Sequence, residues 1–165
     1  MPYISATTGL FSPSQAKAIL AAAKSLPKHG VLMHKEGEVY LKVDDNYIHK
    51  LAPLFQSRGF EIMPYFDNPN SLGAHISVIY PHEKFRIEDM IEIGKDFTFN
   101  LQKVKTVRNK LNEYIILQVT SPQLEGLRHK YKLSPQPCDL ELQIPLTKFF
   151  VTGFYITIAQ KTFLQ

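Results

Sequence analysis

The first regular pattern along the chain is helical. Ala16, Ile19, Leu20, Ala23 and Leu26 recur at intervals that gather apolar side chains on one helix face. Ser12-Pro13-Ser14-Gln15 stands just ahead of them. Ser12 can accept a backbone N–H as the cap, Pro13 suits the first helical position, and Gln15 can reach back as in a capping box. Pro27 and Gly30 close the segment. The period then changes to two. Val39, Leu41 and Val43 alternate with Glu38, Tyr40 and Lys42, which predicts a half-buried strand over 38–43. Asp44 or Asp45 can cap a second helix, with Ile48, Leu51, Ala52 and Phe55 on one face and Arg58-Gly59 at its end. Residues 60–66 read as a further strand, and Asp67-Asn68-Pro69-Asn70 as a turn.

The second half repeats this alphabet. A strand is predicted over 74–80, stopped by Pro81, and a short helix over 88–93. Phe97, Phe99 and Leu101 alternate with polar neighbours, and 113–119 is a nearly continuous apolar strand, so the two are expected to pair antiparallel. Ser121-Pro122 opens a third helix with Leu124, Leu127 and Tyr131 inward. Pro135 and Pro137 break the chain before strands over 140–144 and 154–160. Helices and strands mix without a regular βαβ rhythm. The expected fold is therefore α+β, a single domain over 1–165 with two similar lobes and antiparallel strands around a central groove.

Composition narrows the class. With 44% hydrophobic and 21% charged residues, 165 residues can bury a sizeable core. A net charge of +4 permits an anionic ligand without demanding one. One cysteine, Cys138, excludes a disulfide framework and a cysteine-rich zinc site. The opening Met1-Pro2-Tyr3-Ile4-Ser5 shows no basic segment followed by an apolar stretch, so no signal peptide is predicted. The longest apolar run, over 18–23, is far too short to span a bilayer. A soluble, cytoplasmic protein without a membrane partner is the expectation.

Phosphate loops of the GxGxxG or GxxxxGK[ST] kind are missing, as is HExxH. His29, His34, His49, His82 and His129 are scattered over different elements and read as surface or turn residues. Two segments stand apart. In Ala74-His75-Ile76-Ser77-Val78-Ile79, strand alternation sends Ile76 and Val78 one way and His75 and Ser77 the other. In Phe154-Tyr155-Ile156-Thr157-Ile158-Ala159, Ile156 and Ile158 turn inward while Tyr155 and Thr157 share the opposite face. Each strand presents a titratable ring followed by a hydroxyl. Side by side, they would set two rings and two hydroxyls around a small anion. Hydroxyls can donate to phosphoryl oxygens, and a histidine can move a proton near neutral pH.

His75-Ile76-Ser77-Val78 resembles the His-x-Ser/Thr-x motif of the 2H phosphoesterase superfamily, which includes bacterial RNA 2′,3′-cyclic phosphodiesterases once called 2′-5′ RNA ligases. The second family motif reads His-x-Thr-x, often followed by Ala, and Tyr155-Ile156-Thr157-Ile158-Ala159 is similar except at its first position. The resemblance implies two pseudo-symmetric lobes with one motif on a central strand of each. It also implies phosphodiester chemistry without a metal or other cofactor, on a cyclic phosphate at an RNA end or in a small nucleotide. It gives His75 a proton-transfer role and makes Ser77 and Thr157 phosphate donors. Tyr155 takes the place of the second histidine, as a weak acid or an orienting group. A phenol is a poor base at neutral pH, so a degenerate member that binds RNA or nucleotide, or an interaction module, stands as the alternative. Lys103, Lys105, Arg108 and Lys110, and Arg128, Lys130 and Lys132, are either solvated faces or a field that steers an RNA phosphate. Tyr65, Phe66, Tyr80 and Tyr131 are rim or core aromatics that could stack on a base.

Overall fold

The computed structural model describes residues 12–64 and 66–163. The opening pentapeptide and Tyr65 lie outside the described residues. Helix α1, Pro13–Ala23, begins as its sequence predicts: Ser12 accepts from the backbone N–H of Gln15, and Gln15 reaches back to the N–H of Ser12. Two further helices are α2, Asn46–His49, and α3, Pro122–Lys130. The strands are β1 His29–Lys35, β2 Glu38–Lys42, β3 His75–Ile79, β4 Asp96–Thr98, β5 Asn100–Arg108, β6 Asn112–Thr120, β7 Cys138–Gln143, β8 Phe150–Thr152 and β9 Phe154–Thr162.

These nine strands form one antiparallel sheet in the order β4-β1-β2-β3-β9-β6-β5-β7-β8. The expected lobes are its two halves, and they meet where β3 lies beside β9. Only Phe99 separates β4 from β5 along the chain, yet the two strands stand six places apart in the sheet. Six strand spacings in a flat sheet would be about 29 Å, whereas two residues reach only about 7 Å. The sheet must therefore curl, and it curls around the larger core. That core takes Leu32, Leu41, Ile76, Val78, Leu117, Ile156 and Ile158 from the strands, Ile19 and Ala23 from α1, and Leu124 and Leu127 from α3. A smaller cluster on the other face of the second half joins Val107, Ile116, Leu142, Val151 and Tyr155.

Several elements differ from expectation, each for a local reason. β1 hides behind Gly30, which replaces an apolar residue in the alternation. A Cβ at Gly30 would lie 2.3 Å from the Lys42 carbonyl oxygen, so the glycine belongs to a strand packed tightly on β2 and does not stop a helix. Gly30→Ala should destabilise the fold by about 1–3 kcal/mol, read as a lower urea midpoint at unchanged slope. The second helix divides: Pro53 lies in a 3-10 helix over Ala52–Arg58, which Gly59 ends in the left-handed region. The described residues of 60–66 form no strand. Glu61 makes a lone bridge to Gln160, while Phe60, Met63 and Phe66 pack into the core at a spacing of three. The expected helix over 88–93 is a single 3-10 turn, Ile87–Asp89.

Candidate active site

Both singled-out segments lie on strands at the seam. Ile76 of β3 pairs with Ile156 of β9, which brings His75 and Ser77, flanking the one, beside Tyr155 and Thr157, flanking the other. With Ile76 and Ile156 fully buried in the larger core, these four polar residues share the opposite face. All four line a cavity of about 250 Å3, together with Gly73, Asn109, Tyr114, Asp139 and others. An adjoining cavity of about 470 Å3 shares His75, Ser77, Asp139 and Glu141 and adds Glu38, Tyr80 and His82. The two make one groove.

His75 is the best prepared of the four. Its Nδ1 lies 2.8 Å from the Gly73 carbonyl oxygen. A carbonyl only accepts, so Nδ1 carries the hydrogen, and in the neutral ring Nε2 keeps its lone pair. Burial is the largest influence on the ring and disfavours its charged form. The Gly73 carbonyl and Glu38 oppose that, Lys42 adds to it, and the net effect lowers the pKa below the ordinary histidine value. The edge of the ring meets Tyr40, with centroids 5.6 Å apart. Gly73, at φ 68°, is a conformation that L side chains rarely adopt, and a Cβ there would lie 2.6 Å from Asp45 Oδ1. That carboxylate also accepts the Ala74 N–H at 2.9 Å and Lys42 Nζ at 2.6 Å. The carbonyl that orients His75 is thus anchored from two sides.

The other three residues are not equivalent. The Ser77 hydroxyl donates to Glu38 of β2. Tyr155 donates to Asp139 of β7, and Tyr80 reaches the same oxygen at 3.5 Å. Burial first, and then the neighbouring Tyr80 and Asp139, push the Tyr155 phenol well above its ordinary pKa. Tyr80 is raised likewise, chiefly by burial and next by Asp139. Thr157 alone among the four makes no side-chain hydrogen bond among the described residues, so its hydroxyl is open to the groove.

The field of the groove is acidic. Glu38, Asp139 and Glu141 line it, and among the described residues no lysine or arginine lines either cavity. Lys42, beside His75 in register, turns instead to Asp45 and to the carbonyls of Val43 and Ala74. The basic clusters lie elsewhere. Lys103, Lys105 and Arg108 belong to β5 itself, with Lys110 in the turn that follows. Arg108 sits over the Phe163 ring at 5.9 Å. Arg128 is neither a solvated nor a steering cation: it is fully buried and paired with Glu83. Lys130 pairs with Glu92 at 2.5 Å, and Glu92 also accepts from Tyr131 at 2.6 Å. Of the described aromatics expected to stack on a base, Phe66 and Tyr80 line the groove, whereas Tyr131 packs against the core. Cys138 opens β7 opposite Thr152.

Sequence reasoning missed Glu38, Asp139 and Glu141, and it left His82 as a surface or turn residue although His82 lines the groove. Glu38 reads as the polar face of a strand, and only sheet order reveals that this strand flanks β3. Among the described residues, no group of three or more histidines, cysteines and carboxylates is placed to hold a metal ion, and no helix is long and apolar enough to cross a membrane.

The His-x-Ser segment on β3 and the Tyr-x-Thr segment on β9 thus lie side by side at the centre of a curled antiparallel sheet. The chain belongs to the 2H phosphoesterase superfamily: residues 39–162 match the Swiss Army Knife 2H phosphoesterase domain. This membership supports a phosphodiesterase-type function on phosphate-containing substrates. No curated protein and no solved structure matches the chain.

Proposed function

We propose that the protein hydrolyses a cyclic phosphodiester in a small nucleotide or at an RNA end, with His75 as general base. The observation that carries this reading is the His75–Gly73 hydrogen bond, which in the neutral ring leaves Nε2 as an acceptor on a residue that lines the groove. In this reading Nε2 takes a proton from water as the water oxygen attacks phosphorus. Thr157 donates to a phosphoryl oxygen from across the seam. Ser77 does the same once its hydroxyl turns from Glu38. The acidic lining favours small ligands of low charge: a cyclic phosphodiester is a monoanion, so three carboxylates repel it less than a terminal phosphate or a long RNA backbone.

Tyr155 acts in this scheme as an orienting group. Its O–H already donates to Asp139, and its raised pKa makes it a still weaker acid than a free phenol. Tyr155→Phe should lower kcat by less than about tenfold, whereas loss of a true general acid costs about 10²–10⁴-fold. Because Asp139 loses a donor, the same variant should unfold about 1–2 kcal/mol more easily. Kinetics beside urea titration would read both.

A second reading, a degenerate member that binds nucleotide or RNA without turnover, is favoured by the commitment of Ser77 and Tyr155 to carboxylates. The two readings separate when purified protein in EDTA is incubated with 2′,3′-cyclic nucleotides and with RNA ending in a cyclic phosphate, and the products are resolved by chromatography. Turnover that survives chelation supports hydrolysis. Saturable binding by calorimetry without product supports the second reading.

A further inference from the structure

Hydrolysis of a cyclic phosphodiester needs a proton for the departing oxygen as well as a base for the attacking one. His75 can serve one end of that displacement, and Tyr155 is unsuited to the other. Among the described residues, the only other imidazole lining the groove is His82. It lies outside both motifs, five residues beyond Ser77, just past the end of β3.

His82 is exposed, yet it sits on a rigid support. Its ring stacks on Tyr80, with centroids 5.6 Å apart and planes 12° from parallel, and the Tyr80 hydroxyl is in turn turned toward Asp139. Residues 80–83 form a closed turn: the Glu83 N–H donates to the Tyr80 carbonyl at 3.0 Å, and the Tyr80 N–H to Glu83 Oε2 at 2.9 Å. The buried Arg128 grips this turn from below. It donates to both Glu83 oxygens at 2.6 and 2.9 Å, to the Val78 carbonyl at 2.7 Å and to the Ser134 carbonyl at 2.6 Å. An exposed side chain on an ordinary loop would wander, whereas this one is held at the mouth of the groove that His75 lines from within.

We infer that His82 is the second proton-transfer group of the site, standing in for the imidazole that Tyr155 replaces. The inference rests on the hydrolytic reading above. His75 Nε2 accepts a proton from water while the water oxygen bonds to phosphorus. The bond from phosphorus to one ribose oxygen breaks, and that oxygen receives a proton from the His82 imidazolium. The product is a phosphomonoester with a free hydroxyl. Exchange of protons with solvent then restores both rings.

His82→Phe keeps an aromatic ring to stack on Tyr80 and removes the proton. With a 2′,3′-cyclic nucleotide it should lower kcat by about 10²-fold or more while leaving the melting temperature unchanged. The same nucleotide with sulfur in place of the departing bridging oxygen supplies the decisive comparison, because a thiolate leaves without protonation. His82→Phe should turn over this analogue within about threefold of the parent protein, while a His75 variant stays impaired on both substrates. A kcat within about twofold of the parent on the oxygen substrate, or an equal loss on both substrates, overturns the role of His82 and leaves the hydrolytic reading standing. Absence of parental turnover on every cyclic substrate overturns both.

Discussion

His75→Ala should abolish most turnover, lowering kcat/KM on a cyclic nucleotide by about 10²–10⁴-fold while the circular dichroism spectrum and melting temperature stay close to those of the parent. The side chain lines a cavity and is only partly enclosed, so its removal deletes a function more than a packing element. The pH profile adds a sharper test. Burial above all holds the His75 pKa below the ordinary histidine value. A general base works only when neutral, so kcat/KM should fall on acidification, with the midpoint of that limb below about 6.5. A limb displaced above the ordinary value would show that the ring works as an acid held in its charged form, and would reverse the assignment. The same depression bears on folding. The unfolded chain takes up this proton at higher pH than the folded one, so this contribution to stability is complete above the ordinary histidine value. It is lost as pH falls through the folded pKa.

The second large effect concerns stability. Glu83→Ala should cost about 3–5 kcal/mol, because it strands the Arg128 guanidinium, which has no solvent exposure, without a counter-charge. Asp89→Ala removes a partner of the same type from Arg86, but that pair is 78% and 58% exposed and should cost less than about 1 kcal/mol. Urea unfolding of the two variants side by side measures the contrast, and equal losses would refute it. Burial on its own would raise the Glu83 pKa. The Arg128 hydrogen bonds, the Tyr80 N–H and the nearby charges outweigh it and hold the carboxyl below its usual range. Its contribution to stability is therefore present above the unfolded carboxylate pKa and is lost as pH falls through the folded one.

Much of this molecule can be read directly from its residues, and the boundary of what can be read has physical causes. The cap of α1 is a local event among four residues, so Ser12 and Gln15 announce it. The two seam strands are legible because Ile76, Val78, Ile156 and Ile158 alternate with polar partners, and the larger core enforces that alternation. β1 escapes notice because close packing against Lys42 requires Gly30 where an apolar residue would have marked the period. β8 is three residues long, too short to show any period. Residues 60–66 look like a strand because they are apolar, but Phe60, Met63 and Phe66 enter the core from irregular backbone. At the site, the faces of His75, Ser77, Tyr155 and Thr157 follow from alternation within each strand. The partners of Ser77 and Tyr155 do not. Glu38 and Asp139 come from strands whose neighbours only the sheet order decides, and the burial of Arg128 depends on a glutamate 45 positions away.

The single paired position joining β3 to β9 makes the site a matter of parity. Strand side chains alternate faces, so a slip of one residue would carry a whole polar set to the core side and push isoleucines into the groove. Such a slip cannot pass unnoticed, because Ile76 and Ile156 would surrender their complete burial in the larger core. The hydrophobic residues therefore act as a check on the polar ones. A chain that has packed its isoleucines correctly has already aimed its chemistry, with no separate instruction for the groove.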